Sequence, residues 1–106
     1  MSTLRASVSA GESGPVITLS GEADLSTIAE LSDLIAAQLA AGTVSLTIDV
    51  SGLEYISSAG LGVLLRTHKR LMGAGGKLRL VNVGNHIFDI FRYSGFDQLF
   101  EVQRAG

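Results

Sequence analysis

Val44-Ser45-Leu46-Thr47-Ile48-Asp49-Val50 alternates apolar and polar residues without a break. That is the period of a β-strand with one buried face. Ser58-Ala59-Gly60-Leu61-Gly62-Val63-Leu64-Leu65 follows it, and there the period changes. Leu61, Leu64, Leu65, His68 and Met72 fall on one side of a helix that runs from Ser58 to about Met72. Gly73-Ala74-Gly75-Gly76 stops that helix, and Lys77 to Val83 reads as a further strand. A strand, a helix and a strand in this order make a right-handed crossover between parallel strands.

The rest of the chain extends this unit in both directions. Upstream, Leu25, Ile28, Leu31, Leu34, Ile35 and Leu39 keep helical spacing, and Gly42 ends the run. Thr27 and Glu30 give that helix a capping-box pattern. Further upstream, Leu4, Ala6 and Val8 alternate with polar residues. Gly11-Glu12-Ser13-Gly14 reads as a turn, and Pro15 to Ser20 as a second strand, so the two form a hairpin. Downstream, Asn85 is placed to cap a short helix that ends at Ser94, with Gly95 as its left-handed terminator. Phe96, Leu99 and Phe100 then supply core contacts or an edge segment. The expected fold class is α/β: a mixed four- to five-stranded sheet with helices packed mainly on one face. The alternation in the middle strand is the reason, because a strand covered on both faces would be nearly all apolar.

Size and composition exclude several classes of function. A chain of 106 residues suggests one domain, residues 1–106. It is long enough to bury roughly two-thirds of its unfolded surface without staples. Cysteine is absent, which removes disulfides, thiolate metal sites and cysteine nucleophiles, and fits a reducing compartment. There is no secretory signal pattern. No apolar run approaches the roughly 18 residues of a membrane span. A net charge of −2 and the lack of a basic stripe with interleaved aromatics argue against nucleic acid. The expectation is a soluble, cytoplasmic domain.

In open α/β sheets, function gathers at loops on the carboxyl ends of the parallel strands. Here those loops are residues 21–26, 52–58 and 84–86, and the first two should be neighbours. Ser58 is the expected chemical centre. A serine at that turn reads as a helix N-cap, where free backbone N–H groups favour negative charge and suit a phosphate. Ala59 and Gly60 have minimal side chains, so a partner's active site could approach closely. Capping needs one hydroxyl, yet Ser57 and Ser58 supply two.

The segment from Ile48 to Leu65 resembles the signature of STAS domains, in particular the bacterial anti-sigma factor antagonists. Gly21-Glu22-Ala23-Asp24 is similar to the family's Gly-Glu-hydrophobic-Asp loop. Gly75-Gly76-Lys77 and Ile90-Phe91 before Ser94-Gly95 also fall where the family has them. The resemblance implies a STAS fold over nearly the whole chain. It also implies a role in a partner-switching pathway. In such proteins the serine matching Ser58 is phosphorylated by an anti-sigma factor that is an ATP-dependent serine kinase. The unphosphorylated form binds that kinase and releases the sigma factor, and a metal-dependent serine phosphatase restores it. The family's acidic loop residue matches Asp24. The resemblance thus implies a partner surface of Asp24, Ser57, Ser58, Ala59, Gly60 and Gly62. No cofactor and no intrinsic enzyme are expected, and the expected state is a monomer that forms a heterocomplex. Many members have Asp directly before the phosphoserine, and this chain has Ser57 there, which leaves Ser57 as an alternative acceptor.

Other residues and other chemistries carry weaker signals. Arg66, Lys69 and Arg70 share one side of the second long helix, and the simplest reading is a solvated face whose cations complement the helix dipole. The sharper reading is a docking patch for an acidic partner. His68 on the apolar stripe reads as a packing residue and His86 as a first-turn surface residue. Two isolated histidines make a poor metal site. A hydrolase triad of Ser58, a histidine and Asp24 lacks a Gly-x-Ser-x-Gly elbow. No phosphate-binding glycine motif supports a nucleotide site. A STAS scaffold subunit of a signalling complex remains the alternative role. STAS tails of anion transporters come attached to membrane spans, and this chain begins at Met1 and carries none.

Overall fold

The structure is a computed structural model that describes residues 2–105. Its elements are β1 (Leu4–Gly11), β2 (Gly14–Ala23), α1 (Ile28–Ala40), β3 (Ser45–Ile56), α2 (Ser58–Gly73), β4 (Lys77–Val83), α3 (Asn85–Tyr93), a 3₁₀ turn (Phe96–Gln98) and β5 (Glu101–Arg104). The strands form one sheet in the order β1-β2-β3-β4-β5. The β1–β2 pair is antiparallel, and β2, β3, β4 and β5 run parallel. The sheet is therefore mixed and has five strands, the upper of the two numbers the sequence allowed. The tail supplies the fifth.

Register explains why one face is covered. Val8, Ile17, Ile48, Leu80 and Val102 stand opposite one another across all five strands. Directly opposed residues share a face, so this row continues into the core, where Ile17, Ile48 and Leu80 are fully buried. One residue further along, Ser7, Thr18, Asp49 and Val81 form a second row on the outer face. That face is polar and cross-linked. Arg79 Nη2 donates to Thr47 Oγ1 at 3.4 Å, and Asn82 Nδ2 donates to Asp49 Oδ2 at 2.9 Å.

Helix α1 buries a narrower stripe than the sequence suggested, and α2 buries a shifted one. In α1, Leu31 and Ile35 are buried, with Ile28, Leu34 and Leu39 packed at the margin. Leu25 is not in α1 and is 82% exposed. In α2 the buried stripe is Gly60, Val63, Leu64, Thr67, His68 and Leu71, whereas Met72 points to solvent. The His68 ring packs 5.2 Å from that of Phe100, and Phe96 and Phe91 continue the aromatic series at 5.6 and 6.5 Å. This series fastens the C-terminal segment to α2 and α3.

Two strands outrun the glycines that appeared to end them. β3 continues through Gly52 to Ile56, because Leu53 and Ile56 still face the core. A Cβ at Gly52 would lie 2.6 Å from the Ser20 Cβ, so the glycine permits close approach of β2 at a shift in register. Gly21 plays the same part in β2. Its φ is +97°, and a Cβ there would lie 2.2 Å from the Thr3 carbonyl oxygen. The loops are correspondingly short: residues 24–27 after β2, Ser57 alone after β3 and Gly84 alone after β4. Gly84 holds the N-cap position of α3, and Asn85 is already helical; its Oδ1 accepts from Arg104 Nη2. Gly95 adopts the left-handed conformation expected of it, with φ +77°.

Candidate phospho-acceptor site

The site is built where β2 and β3 end side by side. Ser57 N donates to Ala23 O at 2.8 Å, which ties the two strand ends together just before each chain turns into a helix. The loops after β2 and β3 are thus neighbours, as the topology required.

The cap register differs from the sequence reading by one residue. Ser57, not Ser58, is the N-cap of α2: its backbone is extended (φ −87°, ψ 175°), and its Oγ accepts from Gly60 N at 3.4 Å. Leu61 N donates to Ser57 O. Ser58 is the first helical residue and is exposed. No hydrogen bond engages its hydroxyl among the described residues. The N–H groups of Ser58 and Ala59 lie in the first turn, where they have no intrahelical acceptor. The second hydroxyl therefore has a local explanation: one serine closes the helix end and the other is left free.

Gly60 also has a different role from the one expected. It is buried, and a Cβ there would lie 2.6 Å from Ile56 Cγ1 and 3.1 Å from Ala23 O. The bare backbone lets the first turn of α2 sit on the two strand ends; it offers no surface to a partner. Ala59 is half-buried and Gly62 half-exposed on the outer side of the helix.

The facing loop holds itself together. Asp24 Oδ1 accepts from Ser26 N at 3.0 Å and from Ser26 Oγ at 2.7 Å. Thr27 Oγ1 donates to Glu22 O at 2.8 Å and accepts from Asp24 N at 3.0 Å. Thr27 occupies the N-cap position of α1, but its side chain makes no capping bond, so the capping box with Glu30 does not form. Hydroxyl donors, Ser2 first and then Ser26, hold the Asp24 carboxyl below its usual range. Asp24 is an anion throughout the neutral range.

Asp24, Leu25, Ser26, Tyr55, Ser57, Ser58 and Ala59 line one open concavity between these loops. Leu25 and Tyr55 bring large apolar side chains to it, and both are exposed. The sequence reading missed them in this role. Leu25 matched the helical period of α1, and Tyr55 was hidden in what read as a loop. Neither histidine lines the concavity. His68 is buried on the inner side of α2, and His86 is exposed on α3, so the triad of Ser58, a histidine and Asp24 is not assembled. Among the described residues no group of His, Cys, Asp and Glu could hold a metal ion, and no helix is long and apolar enough to cross a membrane.

Residues 6–101 match the family model described as "Mlab, STAS domain". The chain belongs to the STAS domain family. Its relatives include the "Putative anti-sigma factor antagonist BtrV" of Bordetella bronchiseptica, 34% identical over 90 residues, covering 85% of this chain and 78% of that one. They also include the "Anti-sigma-B factor antagonist" of Staphylococcus aureus, 27% identical over 89 residues, covering 84% and 82%. Among solved structures, an anti-sigma factor antagonist from Mycobacterium paratuberculosis superposes with a TM-score of 0.86 at 28% identity, covering 95% of this chain and 86% of that one. All three are named as antagonists of anti-sigma factors.

Proposed function

We propose that this protein is an anti-sigma factor antagonist that acts by partner switching, with the whole chain working as one STAS domain. In its unphosphorylated form it binds an anti-sigma factor that is an ATP-dependent serine kinase, and so frees a sigma factor. The kinase transfers the γ-phosphoryl group of ATP to Ser58 Oγ, the hydroxyl proton is lost, and ADP leaves. A metal-dependent serine phosphatase hydrolyses the phosphoester and restores the binding form. The setting is cytoplasmic, and the protein is a monomer outside its heterocomplex.

The observation that carries this reading is the free, exposed hydroxyl of Ser58 on the first residue of α2, beside Ser57, which caps that helix. Asp24, Ser57, Ser58, Ala59 and Gly62 form the contact surface, with Leu25, Ser26 and Tyr55 added by the concavity. Gly60 contributes by seating the helix. Phosphorylation adds about −1.5 to −2 charges at neutral pH. The helix N-terminus accommodates them, gaining roughly 0.3–1 kcal/mol. An interface formed over the same group must desolvate them, so the complex is lost while the fold survives.

Binding of the purified protein to each anti-sigma factor kinase of its source organism tests this reading. The unphosphorylated protein should bind one of them, and the Ser58→Asp variant should bind it at least about tenfold more weakly, a loss of about 1.4 kcal/mol. Equal binding by the two forms would contradict the switch.

A further inference from the structure

The outer side of α2 carries a line of charge that its own helix does not explain. Ser58, Gly62, Arg66 and Arg70 succeed one another at intervals of four residues, and Lys69 falls on the same stripe. All three cations are exposed. Helix α2 contains no carboxylate, in a chain whose net charge is −2.

The other basic residues of the C-terminal half are engaged. Lys77 and Arg79 pair with Glu101, and Arg92 pairs with Asp89. Arg104 bonds Asn85 and lies 4.5 Å over the Phe88 ring. Among the described residues, Arg66, Lys69 and Arg70 have no such partner.

The dipole of α2 accounts for only part of this stripe. Arg70 lies in the last turn, where a cation is favoured. Arg66 points the other way. Its Nη1 lies 3.4 Å from where a Gly62 Cβ would be, so the guanidinium is folded back toward the Ser58 end. No dipole benefit exists there, because the effect fades within the last turn and reverses toward the N-terminus. The missing side chain at Gly62 leaves the space into which Arg66 lies. Arg66 and Arg70 also rim a depression of about 170 Å³ between α1 and α2, with Ile35, Leu39 and Val63 among its lining.

Resting on the reading of Ser58 as the acceptor, we propose that the Arg66–Lys69–Arg70 stripe is a docking surface for an acidic segment of the kinase partner. That segment lies along α2 and sets carboxylates against Arg66 and Arg70. The arrangement also explains how one phosphate disturbs a whole interface. Ser58 stands at the end of the same stripe, and its phosphate would cancel about half or more of the three positive charges there. It would also repel the acidic segment directly. Three cations on an acidic chain are too few for a nucleic-acid surface, and no aromatic residue accompanies them on the stripe.

The test compares charge reversals at two places, two cations on the stripe and one cation away from it. The variant Arg66→Glu/Arg70→Glu reverses the stripe, and Arg5→Glu reverses an exposed cation on β1. Circular dichroism and thermal midpoints establish that each variant folds. Binding to the kinase that recognises the unphosphorylated wild type is measured by titration calorimetry at low and at physiological salt. The double reversal should weaken binding by at least about tenfold at low salt and flatten the salt dependence. Arg5→Glu should stay within about twofold, because an exposed rim charge far from the contact acts only through screened, long-range attraction. Arg66→Lys/Arg70→Lys should retain most of the affinity, which separates charge from loss of packing. Normal kinase binding by the double reversal overturns the inference and leaves the proposed function standing. An equal loss from Arg5→Glu also overturns it, since the effect would then belong to net charge. If no kinase binds the wild type, both readings fail together.

Discussion

The two junctions that meet at the site turn a strand into a helix by opposite means. After β2 the chain spends residues 24–27 on the turn and satisfies them internally: Asp24 bonds Ser26, and Thr27 bridges Glu22 O and Asp24 N. After β3 the chain turns at Ser57 alone. Ser57 closes the helix, and the next hydroxyl is left without a partner. The first junction is a fixed wall with an apolar tip at Leu25; the second presents the modifiable group. Rigidity on one side and a free side chain on the other suit a surface that must keep its shape while its charge changes.

Substitutions can break that contrast. The largest effect is expected at the contact that holds the junctions together. Gly60→Val would drive side-chain atoms into Ile56 and the Ala23 carbonyl, and overpacking of this kind typically costs about 1–3 kcal/mol. A lowered urea midpoint checks it. Thr27→Val should follow, since it keeps the shape but leaves Glu22 O and Asp24 N without their buried partner. Unsatisfied groups cost about 1–3 kcal/mol, and the loss should appear in the same titration. Ser57→Ala should cost less, about 0.5–1 kcal/mol, the low end for a cap, because its bond to Gly60 N is long at 3.4 Å. Ser58→Ala should leave the urea midpoint within about 0.5 kcal/mol of wild type, as surface changes do. It should nevertheless abolish phosphate uptake.

The smallest effect concerns pH. The Asp24 carboxyl is held below its ordinary range by hydroxyl donors, Ser2 first and then Ser26. A depressed carboxylate contributes stability that is present above its unfolded pKa, about 3.9. That contribution is lost as pH falls through the lower, folded value. Asp24→Asn should therefore lower stability slightly at neutral pH and flatten the acid limb of a stability profile, leaving the slope above neutrality unchanged. Thermal midpoints across the acid range check the sign.

The fold was legible because its evidence is periodic. The alternation from Val44 to Val50 and the helical spacing after Ser58 each survive in β3 and α2. The hydroxyl pair and Asp24 were visible as residue types, and the topology brought their loops together. What failed depended on packing that the periodicity does not report. Gly52 and Gly21 look like turn signals, yet each lies inside a strand because another backbone passes too close for a side chain. Gly60 looks like an open approach, yet it lies against Ile56. Leu25 keeps the period of α1 but precedes its first turn and is exposed. The cap register was off by one because either serine could close the helix. Which one does is decided by the Ser57 N to Ala23 O bond that fixes the end of β3. β5 was open between edge strand and core contact, since Glu101–Arg104 offers only four residues of pattern.

The central claim is that the second hydroxyl of the pair, freed by the first, is the one that takes the phosphate. Intact-mass and fragment-ion spectrometry of wild type, Ser57→Ala and Ser58→Ala, each incubated with ATP and the anti-sigma factor kinase that binds the wild type, tests it directly. The account predicts a single phosphate on wild type and on Ser57→Ala, localised to Ser58, and none on Ser58→Ala. A phosphate that persists in Ser58→Ala and disappears in Ser57→Ala would contradict it.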